Sequence, residues 1–270
     1  MTYSQRIWVG LLFCAALMVI PAYGSASLRP APDGTSADEI AKRSENNLRS
    51  DRTVMTARMT VVSPRITQPR EMEFTSWEDR EGERSFVRMD APSKDKGTGF
   101  LKLHPNLWMY IPRVERTMRI PPSMMLQSWM GSDFTNDDLV RDSSETEDYN
   151  HRLLGIESEV DDHPGREAYL LEYIPHEDAP VVWGRILAWI DVERGVVLRQ
   201  EFYDEDGEKL RTMQFEEIRQ VDGRWLPHVW RMTPENKKGH QTTIEIKNMD
   251  FDAEIEDDVF TKRNLRKGTR

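Results

Sequence analysis

The stretch KLRTMQFEEIRQVDGRWLPHVWRMTPENKKGHQTTIEIKNMDF, residues 209–251, decides the fold class. Three runs, residues 209–218, 225–233 and 241–251, are separated by Val221-Asp222-Gly223 and Lys237-Lys238-Gly239. Glycine in these separators suits the positive φ of a tight turn, and alternation of apolar with polar residues is the period of a strand. Ile244 and Ile246 against Glu245 and Lys247 mark one face for a core or cavity and the other for water. The same style extends upstream through residues 151–157, 167–174, 184–191 and 196–203. Their separators are His163-Pro164-Gly165, Glu193-Arg194-Gly195 and Asp204-Glu205-Asp206-Gly207. Such spacing is that of an antiparallel meander.

The first half repeats the pattern. Val54, Thr56, Arg58, Thr60 and Val62 alternate with Met55, Ala57, Met59 and Val61, and a second run covers residues 71–77. Residues 84–91 follow a Glu81-Gly82 turn, and residues 100–104 and 107–111 are joined at His104-Pro105-Asn106. Before all of these, Ser36-Ala37-Asp38-Glu39 is a capping box that opens a helix to about Leu48, with Ile40, Ala41, Ser44 and Leu48 as a modest apolar stripe. The expected fold is mainly β with few helices: roughly eleven antiparallel strands, in a sheet long enough to curl into an incomplete, half-open barrel packed over helices.

Residues 1–26 read as an export signal. Arg6 is the positive start, residues 7–20 are an uncharged apolar run, and Pro21, Ala22, Gly24, Ser25 and Ala26 supply the break and small residues of a cleavage site. The run is too short for a bilayer-spanning helix. Cys14, the only cysteine, lies inside it after Phe13, which argues against lipidation. Removing the signal leaves no disulfide, thiolate metal site or cysteine nucleophile. The division expected is a cleaved signal over 1–26, a flexible linker over 27–35, one domain over 36–265 and a basic tail over 266–270. Protease should trim from Lys262 onward. The net charge of −10, which becomes −11 on loss of Arg6, gives no footprint for nucleic acid.

Catalytic patterns are missing from the sequence. It has no HExxH, GxSxG, P-loop or GxGxxG, and none of its six histidines sits with another at helical spacing. Lys96-Gly97-Thr98-Gly99 precedes a strand rather than the helix that a phosphate cradle needs. Asp133, Asp137 and Asp138 do not have the spacing of a calcium loop, and Asn136-Asp137-Asp138-Leu139 reads as a helix cap. No metal and no cofactor is assigned, and the chain reads as a binding protein rather than an enzyme.

The stretch from Lys96 to Leu139 is unusual in composition. It gathers Phe100, Trp108, Tyr110, Trp129 and Phe134 with Met109, Met118, Met124, Met125 and Met130. Methionine is flexible and polarizable, and it suits surfaces that accept more than one apolar shape. Pro121-Pro122 suits a helix start, and Gly131 a left-handed end. The pattern predicts a two-turn helix over residues 123–130, with Met125, Trp129 and Leu126 on one side and Met124, Gln127 and Ser128 turned elsewhere. Two turns are not stable alone. The element is expected to lie over the barrel mouth as a movable lid or as a fixed plug. Phe100, Trp108, Tyr110, Met124, Met125, Trp129, Met130 and Phe134 are the cavity and lid candidates.

Gly99-Phe100-Leu101-Lys102, the run Asn106 to Pro112, Arg119-Ile120-Pro121-Pro122-Ser123-Met124-Met125 and the run Ser128 to Leu139 together resemble the outer-membrane lipoprotein-sorting proteins, relatives of the periplasmic carrier LolA. The resemblance covers the chain from the first helix to the acidic segment around Asp257-Asp258-Val259-Phe260. It implies an incomplete barrel over helices, with an apolar cavity that shields acyl chains. A carrier on that plan would be a periplasmic monomer that takes a lipid or lipoprotein from an inner-membrane transporter complex and hands it to an outer-membrane acceptor. The alternative is an accessory subunit of an inner-membrane transporter, or an envelope sensor, that uses the same barrel to dock a partner.

Overall fold

The structure, a computed structural model, describes residues 28–140, 145–177, 179 and 181–267. The export signal, Cys14 and the last three residues of the basic tail lie outside the described residues.

One helix comes first, α1 (Ala37–Leu48), and the Ser36 hydroxyl accepts from the Glu39 N–H as the capping box requires. Six strands follow: β1 (Arg52–Val62), β2 (Arg70–Asp79), β3 (Arg84–Ala91), β4 (Gly99–Leu103), β5 (Asn106–Ile111) and β6 (Arg116–Ile120). Two short 3-10 turns and α2 (Asn136–Val140) lead to β7 (Tyr149–Glu157), β8 (Ala168–Pro175), β9 (Arg185–Asp191), β10 (Val197–Tyr203), β11 (Lys209–Val221), β12 (Arg224–Pro234) and β13 (Gln241–Phe251). A 3-10 turn and α3 (Lys262–Lys267) end the described chain.

All thirteen described strands form one open sheet in the order β6-β5-β4-β3-β2-β1-β13-β12-β11-β10-β9-β8-β7, and the described pairings between neighbours are antiparallel. The chain makes one meander outward from the middle and a second inward from the far edge, and β1 against β13 joins them. The half-open β architecture is as expected, with two strands more than the roughly eleven. Residues 116–120 were not counted as a strand because their five residues lie between two Pro-containing turns.

The topology gives the connection between β6 and β7 a special position, because it must pass from one edge of the sheet to the other. It does so across the inner face, beside α1. Ala41, Met59, Met72, Phe74, Phe100 and Trp129 belong to the same buried cluster there. The outer face has separate cores. One of them, Phe86, Leu101, Phe260 and Leu265, is made by the C-terminal segment lying over β3 to β5.

Two expectations about the ends change. Leu265 is 1% exposed, and a Cβ on Gly99 would come within 2.8 Å of it, so α3 (Lys262–Lys267) is packed rather than free. Within the expected linker, Arg29 is held as well. Arg29 exchanges two backbone hydrogen bonds with Ile156 on edge strand β7 (2.9 and 2.8 Å), and its guanidinium meets Glu167 at 2.7 Å.

Candidate functional site

Alternation on β1 to β5 puts an apolar ladder on the inner face. Met59 stands opposite Met72, Phe74 opposite Met89, and Phe100 opposite Met109. Met59, Met72 and Met89 are fully buried. Thioethers and two phenyl rings thus make a wall that can repack around apolar shapes. The sequence reading did not choose Met59, Met72, Met89 or Phe74 as site residues. Their signal was present, since each sits at every second position of an alternating strand.

Trp129 fills the space in front of that wall. It is 2% exposed, with its ring edge-on to Phe74 (centroids 5.5 Å apart, 87°) and to Phe100 (5.9 Å, 72°). Its indole Nε1–H is buried with no hydrogen-bond partner among the described residues. A buried unpaired donor costs about 1–3 kcal/mol. The fit is therefore good for the ring and poor for its polar edge.

The segment that carries Trp129 is not the predicted two-turn helix. It is a 3-10 turn at Pro122–Met124, a second at Trp129–Gly131, and an extended Ser128 between them. Met130 and Gly131 both have positive φ, 50° and 72°, which accommodates the left-handed end expected at Gly131 but starts it one residue early. Side chains and backbone of the following residues replace helical bonds. The N–H groups of Asn136 and Asp137 donate to the carbonyls of Gln127 and Met125, the Trp129 N–H donates to the Phe134 carbonyl, and the Asn136 side chain donates to the Met124 carbonyl. Ser132 Oγ donates to the Trp129 carbonyl, and Ser128 Oγ donates to the Ser132 carbonyl. The segment is a self-bonded loop with a single large apolar tip.

Beside this apolar packing, polar ties fasten its base to the sheet. Thr242 on β13 accepts from the Asp133 N–H (3.0 Å) and donates to the Asp133 carboxylate (2.8 Å). Arg211 on β11 makes a two-pronged bond with Asp138, both arms 2.8 Å. Thr135 and Asp138 cap α2 reciprocally, as the sequence suggested for this acidic cluster. The base is fastened to the β11–β13 half, and the tip is inserted into the β2–β4 half.

The candidates separate into two groups. Phe100, Trp129 and Phe134 are buried together, with Met125 and Met130 half-buried against them. Met124 is on the margin of exposure, and Leu126 at 62% faces away from the side on which it was placed. Trp108 and Tyr110 belong to the opposite face. Leu107 and Met109 point inward, so their neighbours point outward and pack with Leu101 under the C-terminal segment, where the Lys262 ammonium lies 3.4 Å from the Trp108 ring centre. The sequence groups Phe100 with Trp108 and Tyr110 as candidates, and the pairing of Phe100 with Met109 puts the other two on the opposite face.

Polar groups offer little chemistry at the tip. Near α1, burial, reinforced by Glu145 and Glu45, raises the Tyr173 phenol well above 10.0, so it stays neutral. On the outer face a cleft of about 600 Å³ is lined by Asp162, His163, Glu216, Arg231 and neighbours. Its charges are largely spent on each other. The hydrogen bond from Arg231 holds the Glu216 carboxyl below its ordinary value, and burial pushes the His163 imidazole down. Among the described residues no three His, Cys, Asp or Glu side chains are grouped to hold a metal ion. The inner face is thus apolar and filled, and the charged groups lie elsewhere.

Comparison with known proteins gives the following similarities. A family model described only as "Uncharacterized protein" matches residues 81–267. No curated protein sequence matches the chain. The fold is similar to a protein from Vibrio parahaemolyticus provisionally described as an outer membrane lipoprotein-sorting protein domain (27% identity, TM-score 0.71, 85% of this chain and 98% of that one). It is also similar to a DUF1329 family protein from Desulfovibrio piger (23%, TM-score 0.73, 85% and 97%) and to a LolA superfamily protein from Nitrosomonas europaea (21%, TM-score 0.69, 85% and 99%).

Proposed function

The chain belongs to a LolA-like family, and on that premise we propose that it is a periplasmic carrier whose inner face holds acyl chains of lipoproteins or lipids. In this reading it moves cargo from an inner-membrane transporter complex toward an outer-membrane acceptor and performs no catalysis. The observation that carries it is Trp129, a bulky side chain that occupies the Met-lined hollow while its N–H goes unpaired. An acyl chain gains about 0.8 kcal/mol for each CH₂ taken out of water. A chain of ordinary length can therefore displace one indole ring and its poorly matched edge.

The polar base supports a lid rather than a fixed plug. Asp133 to Thr242 and Asp138 to Arg211 can hold the loop while its tip leaves, so the mouth opens without unfolding the sheet. The test is uptake of a fluorescent fatty acid by the purified protein. Wild type is expected to bind it, and Trp129→Ala to bind it more tightly but transfer it poorly to acceptor vesicles, because the tip that expels cargo is gone. Failure of both proteins to take up the probe would remove the carrier reading. A docking subunit without cargo would give that result.

A further inference from the structure

We propose that the mouth of the half-barrel docks on an anionic phospholipid bilayer through a basic, apolar rim made by four neighbouring hairpin ends. The proposal rests on the carrier reading, since it assigns the surface through which cargo would enter. In an antiparallel meander alternate turns lie at the same end. The β1–β2, β3–β4, β5–β6 and β12–β13 turns are therefore neighbours along one half of that end, the acidic β10–β11 turn (Asp204, Glu205, Asp206 and Glu208) beginning the other half beyond β12–β13, and contacts confirm the line. The His240 ring bonds Ser63 at 3.2 Å, a Cβ on Gly239 would touch Pro64 at 3.0 Å, Arg70 meets Asp95 at 3.6 Å, and a Cβ on Gly97 would touch Pro112 at 3.2 Å. The lid base borders this rim through Asp133, which lies 3.5 Å from His240.

The charge of this rim is opposite to that of the whole. The chain has 37 Lys and Arg against 47 Asp and Glu. The four turns carry Arg65, Lys94, Lys96, Arg113, Lys237 and Lys238, all exposed, against three carboxylates, Asp95, Glu115 and Glu235. Two of those carboxylates already face cations outside the turns, Asp95 with Arg70 and Glu235 with Lys209. Apolar side chains stand among the cations with no cover: Val62 at 39%, Ile66 at 41% and Val114 at 64% exposed. Clustered Lys and Arg beside protruding apolar tips are the chemistry of an anionic membrane surface, where cations meet headgroup phosphates and the tips enter the acyl boundary. An acidic protein surface would use the cations but would leave three exposed aliphatic side chains unexplained.

The experiment is co-sedimentation of the folded protein with vesicles of phosphatidylcholine alone and with vesicles rich in phosphatidylglycerol. Binding is expected only to the second, falling when salt is raised several-fold. The double change Lys94→Glu with Arg113→Glu should weaken it about tenfold or more, since each cation near such a surface is worth about one such step or slightly less. Ile66→Ser with Val114→Ser should weaken it while leaving the salt dependence, and Lys42→Glu on α1 should change nothing. Equal sedimentation with both vesicles, or unchanged binding by the charge-reversed protein, would overturn the proposal. So would absence of vesicle binding, with the rim captured by an acidic protein instead. Fatty-acid uptake in the same samples separates the two ideas. Uptake without vesicle binding defeats the rim alone, and vesicle binding without uptake defeats the carrier alone.

Discussion

Replacing Trp129 by Ala should cost much less global stability than its burial suggests. Truncating a fully buried aromatic residue typically costs about 3–5 kcal/mol. Here the indole N–H has no partner, and removing it returns about 1–3 kcal/mol of desolvation penalty. The net is about 2 kcal/mol. A lid that can leave without the sheet also caps the loss, because the sheet does not depend on it. Phe86 supplies the reference. It is 1% exposed, stacked on Trp77 in the outer core and remote from the lid, so Phe86→Ala should show the full penalty of about 3–5 kcal/mol. Urea unfolding of both variants, with hydrogen exchange of the Trp129 amide that donates to Phe134, measures the two quantities together. If Trp129→Ala loses as much as Phe86→Ala, and the Trp129 amide exchanges only when the sheet unfolds, the segment is a fixed plug and the reasoning fails.

Three further outcomes follow from the geometry. Thr242→Val removes both bonds to Asp133 and should cost about 1–3 kcal/mol, with faster exchange at the Trp129 amide while β1 to β3 stay protected. Gly99→Ala pushes on Leu265 and Phe86, so trypsin should cut within Lys262–Lys267 faster than in wild type, at a cost of about 1–3 kcal/mol. Burial holds the folded-state pKa of His163 below its ordinary 6.5, so the unfolded chain takes up the proton first as pH falls. Stability should therefore decline below about pH 6.5, and His163→Gln should flatten that decline in urea titrations at successive pH values.

Much of this fold was legible in the sequence, and the reasons are local. The Ser36 cap, the two-residue period of β1 to β3 and β11 to β13, and the Asp- and Gly-containing turns each fix their element without help from distant residues. The segment between β6 and β7 was legible as an apolar insertion but not as a shape. Helix-favouring Met, Leu and Gln after Pro121-Pro122 pointed to helix, whereas Asn136 and Asp137 claimed the carbonyls of Met124, Gln127 and Met125. Those bonds come from residues nine to twelve positions away and decide the backbone. The site was half legible for a similar reason. Period two separates Phe100 and Met109 from Trp108 and Tyr110, but the inner face is settled by what covers each side. Trp129 covers one, and Leu265 with Phe260 covers the other.

The carrier account is tested most directly by native mass spectrometry of the exported protein, purified without detergent. The account predicts an acyl-bearing molecule bound to the folded chain, retained on dilution and removed by incubation with acceptor vesicles, with Trp129→Ala keeping the cargo that wild type gives up. Wild type and variant both emerging at the bare mass of the polypeptide, with neither taking up added fatty acid, would contradict it.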